Sequence, residues 1–204
     1  DVFARFKRKD NCKVFFLTGT DEHGLKIQKA AKKDSLSPLE FCDKISKVFK
    51  DLSKKLNLSN DDFIRTTEPR HHEAVINLWN RLVKSGDIYL SKYEGWYSVS
   101  DEAYYNKDEI LEKSGKKIAI SSGSEVEWVE EESFFFKLSS WSERLLEFYQ
   151  QNPNFIVPPE RRNEVVNFVK GGLNDLSISR TSFTWGIKVP NNSKHVIYVW
   201  LDAL

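Results

Sequence analysis

The chain has 204 residues, 40% of them hydrophobic and 30% charged, and a formal net charge of +1. That balance exerts no global pull on nucleic acid, so any RNA contact has to come from a local patch. No apolar run approaches the roughly 20 residues that span a bilayer, and nothing resembles a signal peptide. Two cysteines, Cys12 and Cys42, are too few and too far apart for a disulfide framework or a thiolate zinc site. They read as small thiols in a reducing compartment. The chain lacks methionine and starts at Asp1, which suggests an internal piece of a longer protein.

Taken in order, Phe3, Phe6 and the basic residues beside them read as the end of a helix. Residues 14–17, Val-Phe-Phe-Leu, read as a buried strand, and residues 25–33 as a helix. Ser37, Pro38 and Glu40 form a capping-box pattern. Behind it Phe41, Ile45, Val48, Phe49, Leu52 and Leu56 recur at spacings of three and four. Residues 63–66 complete a strand–helix–strand unit. A further amphipathic helix covers residues 71–85, with Gly86 ending it. Residues 88–105 and 125–137 look like aromatic-rich strands around a polar hairpin. The acidic run Glu130-Glu131-Glu132 reads as a solvated loop beside the second of them. Helical signals return at 141–151 and 163–169, and residues 176–178 and 196–200 read as strands. The expected organisation is α/β: a first part over 1–87, a mostly-β insert over 88–138, and a return over 139–204.

The most informative stretch is Thr18-Gly19-Thr20-Asp21-Glu22-His23-Gly24, a glycine-bracketed turn between a strand and a helix. In an open α/β sheet ligands bind at such strand ends, where helix starts offer backbone N–H groups. Asp21 there is either a ligand group or a simple helix cap. His71-His72-Glu73 invites a zinc-protease reading, which fails because the second histidine would have to be at position 76, where Ile76 stands. His195 follows the turn-like stretch Asn191-Asn192-Ser193-Lys194 and reads as solvent-facing.

Four segments in one order carry a resemblance. They are residues 1–24 with Arg5, Arg8 and the acid cluster; Gly95-Trp96-Tyr97-Ser98-Val99-Ser100-Asp101-Glu102; Arg162-Asn163-Glu164-Val165 leading to Asp175-Leu176-Ser177-Ile178-Ser179-Arg180; and Tyr198-Val199-Trp200-Leu201-Asp202-Ala203-Leu204. Together they resemble the catalytic domain of methionyl-tRNA synthetases, class I enzymes with a Rossmann-like fold split by a connective insert. The resemblance covers essentially the whole chain.

It implies ATP-dependent activation of methionine, with magnesium, and transfer to the terminal adenosine of tRNA(Met), in the cytoplasm or an organelle matrix. It assigns Asp21 to the substrate ammonium, and Arg180 to the adenylate-forming site. Val199, Trp200, Ala203 and Leu204 fall to the methionine pocket; His23 and Gly24 are candidates for ATP, with His23 either contacting it or orienting the loop. Without the resemblance, Trp200 would read as core; for Arg180, pairing with a local acid stands as the alternative to a role at the site. Asp202 either reaches the substrate or supports its strand.

Many family members hold zinc with cysteines after Gly-Trp-Tyr, but here Ser98 and Asp101 stand in those positions. Serine hydroxyls do not replace thiolates, so the expectation is a zinc-free knuckle held by Tyr97, Tyr104, Tyr105 and Trp128. The two phosphate-binding signatures of the class, HIGH and KMSKS, are expected before Asp1 and beyond Leu204. A synthetase for leucine, valine or isoleucine, which carries a larger editing insert, and a non-catalytic module on the same fold are the rival readings.

Overall fold

Helix α1 (Val2–Lys9) opens the chain. Arg5 reaches back to Asp1 at 2.8 Å, and three basic residues complement the helix dipole in the last turn. The computed structural model describes all residues except Glu102, Ser114 and Leu204, and omits the Tyr93 side chain. Strand β1 (Leu17–Thr20) pairs in parallel with β2 (Asp62–Arg65). Between them run α2 (Leu25–Lys33) and α3 (Pro38–Lys55), so the strand–helix–strand unit is present. The strand begins at Leu17 rather than covering residues 14–17, because its partner spans only β2. Phe15 is therefore 71% exposed instead of buried.

The capping box at Ser37 forms as the sequence predicts: the Glu40 N–H donates to Ser37 Oγ and the Ser37 N–H donates to Glu40 Oε2. The apolar stripe of α3 does not become its buried face. Cys42 and Ser46 face inward, whereas Ile45, Val48, Phe49, Leu52 and Leu56 are exposed. Helix α4 (Pro69–Ser85) buries Val75 and Trp79.

The chain forms two compact units, Asp1–Ser85 with Ile178–Leu204, and Gly86–Ser177. The second contains β3 (Ile88–Ser98), β4 (Ala103–Tyr105), β5 (Ile110–Lys113), β6 (Lys116–Ala119) and β7 (Glu127–Phe136). Helices α5 (Ser142–Gln151) and α6 (Pro159–Lys170) follow, then β8 (Leu176–Ser177). An antiparallel sheet runs in the order β4-β3-β7-β8, and β5 and β6 pair separately. This unit extends past residue 138, since β8 returns to pair with β7.

The acidic run is not a loop. Glu130, Glu131 and Glu132 lie inside β7, opposite Glu94, Tyr93 and Lys92. Alternation puts Glu130 beside Lys92 at 3.3 Å and buries Glu131 on the other face.

The first unit resumes with β9 (Ser179–Arg180), β10 (Lys188–Val189), β11 (Asn192–Ile197) and α7 (Val199–Asp202). Here the sheet is antiparallel, in the order β10-β11-β9. Two expectations fail. The β11 strand already starts at Asn192, so His195 is fully buried, its Nδ1 3.0 Å from Ser179 Oγ. Residues 196–200 are not one strand: after Ile197 the Asp202 N–H donates to the Tyr198 carbonyl at 3.1 Å and closes a helical turn. β-Propensity in Val-Trp yields to this turn. Phe183, Val196 and Tyr198 form a buried cluster with Leu25 and Val199 against it, which packs the start of α2 onto β11. Among the described residues no helix is long and apolar enough to cross a membrane.

Candidate active site

The turn after β1 is built by two glycines. A Cβ on Gly19 would lie 1.9 Å from the Ile64 carbonyl oxygen, so only glycine lets β1 approach β2 this closely. Gly24 sits at φ 103° as the N-cap of α2, and its N–H donates to the Trp185 carbonyl at 3.2 Å. Gln28 Oε1 accepts the N–H groups of Thr184 and Trp185 at 3.0 and 3.1 Å, which fastens residues 184–185 to α2.

Within this frame the three polar residues of the turn take different roles. Asp21 follows the carboxyl end of β1, with the His23 N–H 3.4 Å from its Oδ1. Burial of the carboxyl pushes its pKa up, and the nearby Asp202 charge adds to that; the His23 hydrogen bond and the His23 and His71 rings work against it. Glu22 turns the other way and is 3% exposed. Its carboxylate accepts from Arg65 Nε and Nη2 at 2.7 and 2.9 Å and from the Thr20 and Thr67 hydroxyls at 2.6 Å. Burial opposes ionisation of Glu22, but the bonds from Arg65, Thr20 and Thr67 outweigh it and hold the pKa low. Its backbone N–H donates to Thr66 Oγ1, and its carbonyl accepts from Trp185 Nε1 at 2.6 Å. Glu22 is a structural pin. Beneath it burial, with the Glu22 charge, pushes the Cys42 thiol up to about 11, so that thiol is inert.

His23, expected beside ATP, has a side chain only 7% exposed, and its Nδ1 lies 2.6 Å from Asp202 Oδ2. His71, in the first turn of α4, places Nε2 2.8 Å from the other Asp202 oxygen. Thus Asp202 joins the β1–α2 turn, α4 and α7. His72 packs against His23 with ring centroids 5.6 Å apart. Burial lowers its pKa, with the His23 ring adding to the effect, and its buried Nε2 has no hydrogen-bond partner among the described residues. The sequence alone missed this cluster; the histidine pair at 71–72 was visible, but its partner stands more than a hundred residues away.

Trp200 sits on the α7 turn and is 49% exposed, so it is not core. Val199 and Ala203 are half-buried beside it, and Leu204 lies outside the described residues. Arg180 is buried, its guanidinium carbon 3.7 Å from the centre of the Tyr198 ring and its Nη1 donating to the Ser179 carbonyl at 2.7 Å. This cation–π stack directs the guanidinium from β9 across the residue that caps α7.

In the second unit, the knuckle positions converge on Asp101. Its carboxylate accepts from Tyr105 Oη at 2.7 Å, Ser124 Oγ at 2.8 Å and Ser122 Oγ, while its N–H donates to Ser98 Oγ at 3.3 Å. Aromatic packing contributes, with Tyr97 tilted on Tyr104 and Trp96 edge-on to Trp128. The carboxylate hub is what the sequence reading omitted. Among the described residues no group of three or more His, Cys, Asp and Glu is placed to hold a metal.

The whole chain, residues 1–204, matches the family described as tRNA synthetases class I (M). It is 57% identical to methionine–tRNA ligase of Rhizobium meliloti (strain 1021) over 100% of this chain and 40% of that protein. With the ligase of Rickettsia typhi (strain ATCC VR-144 / Wilmington) it shares 59% identity, over 100% of this chain and 39% of that one. It also resembles the Mycobacterium tuberculosis methionyl-tRNA synthetase solved in complex with methionyl-adenylate. There the TM-score is 0.91 and the identity 50%, covering 98% of this chain and 39% of that one. The chain therefore spans about 40% of the length of these relatives. A Rossmann-like α/β frame, a carboxylate at the end of β1 and a match along every residue lead to one assignment: the chain belongs to the class I tRNA synthetase family of the methionine type.

Proposed function

We propose that this chain is the amino-acid side of a methionine–tRNA ligase, which joins methionine to ATP as methionyl-adenylate and passes it to the 3′-terminal adenosine of tRNA(Met). The observation that carries the reading is the place of Asp21: a solvent-accessible acid directly after the carboxyl end of β1, beside His23, where partial desolvation of its carboxyl favours a cationic ligand. Methionine's ammonium has that charge. Its carboxylate then attacks the α-phosphate of ATP in line, and pyrophosphate leaves. Catalysis of this kind is positioning and electrostatic stabilisation, with no covalent role for the protein.

Each further group has a part in that arrangement. Half-exposed Trp200, with Val199 and Ala203, offers an apolar wall, and a thioether against an indole is a favourable contact. Arg180, stacked on Tyr198, sets the adenylate-forming side of α7, and Gly24 brings backbone close to the nucleotide. A knuckle that needs no zinc is supported by the chemistry at Asp101, where hydroxyls of Tyr105, Ser122 and Ser124 donate to the carboxylate and no thiolate stands among these residues. Methionine-dependent exchange of pyrophosphate into ATP by the complete gene product tests the reading. Exchange with methionine and not with leucine, isoleucine or valine is expected; exchange driven by one of those three, or by none, overturns it.

A further inference from the structure

Asp202 holds two histidines at once, and its bond to His23 Nδ1 decides what the other nitrogen of that ring can do. Its side chain is 2% exposed, with one oxygen 2.6 Å from His23 Nδ1 and the other 2.8 Å from His71 Nε2. An ionised carboxylate only accepts hydrogen bonds, so both of these ring nitrogens carry protons. In a neutral imidazole the opposite nitrogen is then a lone-pair acceptor, which for His23 is Nε2. The ring is kept in this orientation from two sides, by the edge of Trp185 at 5.7 Å and by His72 at 5.6 Å. Its backbone N–H faces Asp21 at 3.4 Å, so ring and carboxylate belong to one turn.

We propose that Asp202 is a positioning residue that fixes His23 in the Nδ1–H tautomer, so that Nε2 accepts a hydrogen bond from the amino acid's ammonium alongside Asp21. This rests on the methionine-activation reading above. It also moves His23 away from ATP phosphate: a bare nitrogen lone pair repels phosphate oxygens and attracts an N–H donor. One carboxylate sets the ligand chemistry of a ring it does not share with substrate, in the way outer partners fix histidine ligands at metal sites. His71 makes the arrangement two-sided. An asparagine at 202 can accept from one ring only and must donate to the other, so one histidine has to change tautomer.

The test uses the complete gene product labelled with ¹⁵N-histidine, with His23 and His71 signals assigned from single His→Gln variants. Long-range ¹H–¹⁵N correlation should show wild-type His23 protonated at Nδ1 and bare at Nε2. A doubly protonated ring, or a proton on Nε2 alone, overturns the proposal, and this measurement needs no variant at position 202. In Asp202→Asn, a flipped histidine tautomer is expected. Where His23 is the ring that flips, the methionine KM should rise about ten- to a hundredfold, the range for a hydrogen bond to a charged group, with the ATP KM within about twofold. Where His71 alone flips, the methionine KM should keep its wild-type value, and a rise there overturns the proposal. A merely structural role would move both KM values together or leave the tautomers unchanged, and either result overturns the proposal. Wild-type protein that shows no methionine-dependent exchange would remove the functional reading, while the tautomer of His23 would still be measured independently.

Discussion

Desolvation raises the Asp21 carboxyl, and among the described residues its hydrogen bond comes from the His23 backbone N–H, whereas Arg65 and two threonine hydroxyls hold neighbouring Glu22 ionised. Adjacent acids in one turn thus divide into a ligand group and a structural pin. For Asp21 the sign of the pH dependence follows. Free Asp21 protonates more readily than an ordinary aspartate, and a bound ammonium reverses that, so methionine affinity falls as pH drops through the raised pKa. Steady-state kinetics should show the methionine KM climbing on acidification in wild type. In Asp21→Asn it should be flat and higher by one to two decades, about 1.5–3 kcal/mol for a charged hydrogen bond. A variant that keeps the wild-type pH profile would remove Asp21 from the ammonium.

Asp101 shows the opposite shift. Ser122, Tyr105 and the other hydroxyls hold its pKa down to about 2. A depressed carboxylate contributes stability above its unfolded pKa of about 3.9, and that contribution is lost as pH falls toward the folded value. Asp101→Asn should therefore lower the melting temperature at pH 7, and the gap from wild type should close between about pH 4 and 2. A gap that is constant with pH would mean that the hydroxyls do not serve the charged form.

At the scale of elements, Gly19 and Glu22 together fix the spacing of β1 and β2. Gly19→Ala would drive a methyl into the Ile64 carbonyl, a backbone atom that cannot move without breaking the ladder. Glu22→Ala would leave Arg65 without its main partner in a site 23% exposed. Equilibrium denaturation should place each loss at about 3–5 kcal/mol, typical of a broken buried pair or a severe clash. A loss under about 1 kcal/mol in either variant would show that the strands tolerate a wider separation.

These same elements mark what was legible in the sequence. The capping box at Ser37 and the glycine-bracketed turn are local patterns, and both formed where the residues place them. The 196–200 strand and the exposed His195 were misread because apolar and turn-like composition do not show that the Asp202 N–H closes a helical turn on the Tyr198 carbonyl, or that β11 already starts at Asn192 and turns His195 inward. Glu130, Glu131 and Glu132 were misread for a related reason: alternating faces let a strand carry three acids when Lys92 stands opposite. Asp202 itself was visible as a residue but not as a hub, since nothing local announces the two histidines it binds.

At the scale of the whole molecule, the Gly86–Ser177 unit leaves and re-enters the chain at one place. Ile88 and Leu176 both pair with Phe136, from the two sides of β7. Strands lie about 4.8 Å apart, so these two ends are separated by about 10 Å. An insertion with such close ends costs its host little in loop-closure entropy. The unit also carries its own interior, in Tyr97, Ala119, Val126, Phe135 and Val169. Its closing strand is tied by Asp175, which accepts from Tyr89 Oη at 2.7 Å and from the Ser139 N–H at 3.0 Å. Residues 86–177 made alone should accordingly fold. The expected result is a single cooperative thermal transition with retained near-ultraviolet circular dichroism from Trp96 and Trp128, whose rings meet at 5.3 Å. Asp175→Ala should weaken that transition by about 1–3 kcal/mol, the cost of leaving Tyr89 and Ser139 unsatisfied. A non-cooperative melt of the isolated unit would show that its sheet depends on the surrounding chain.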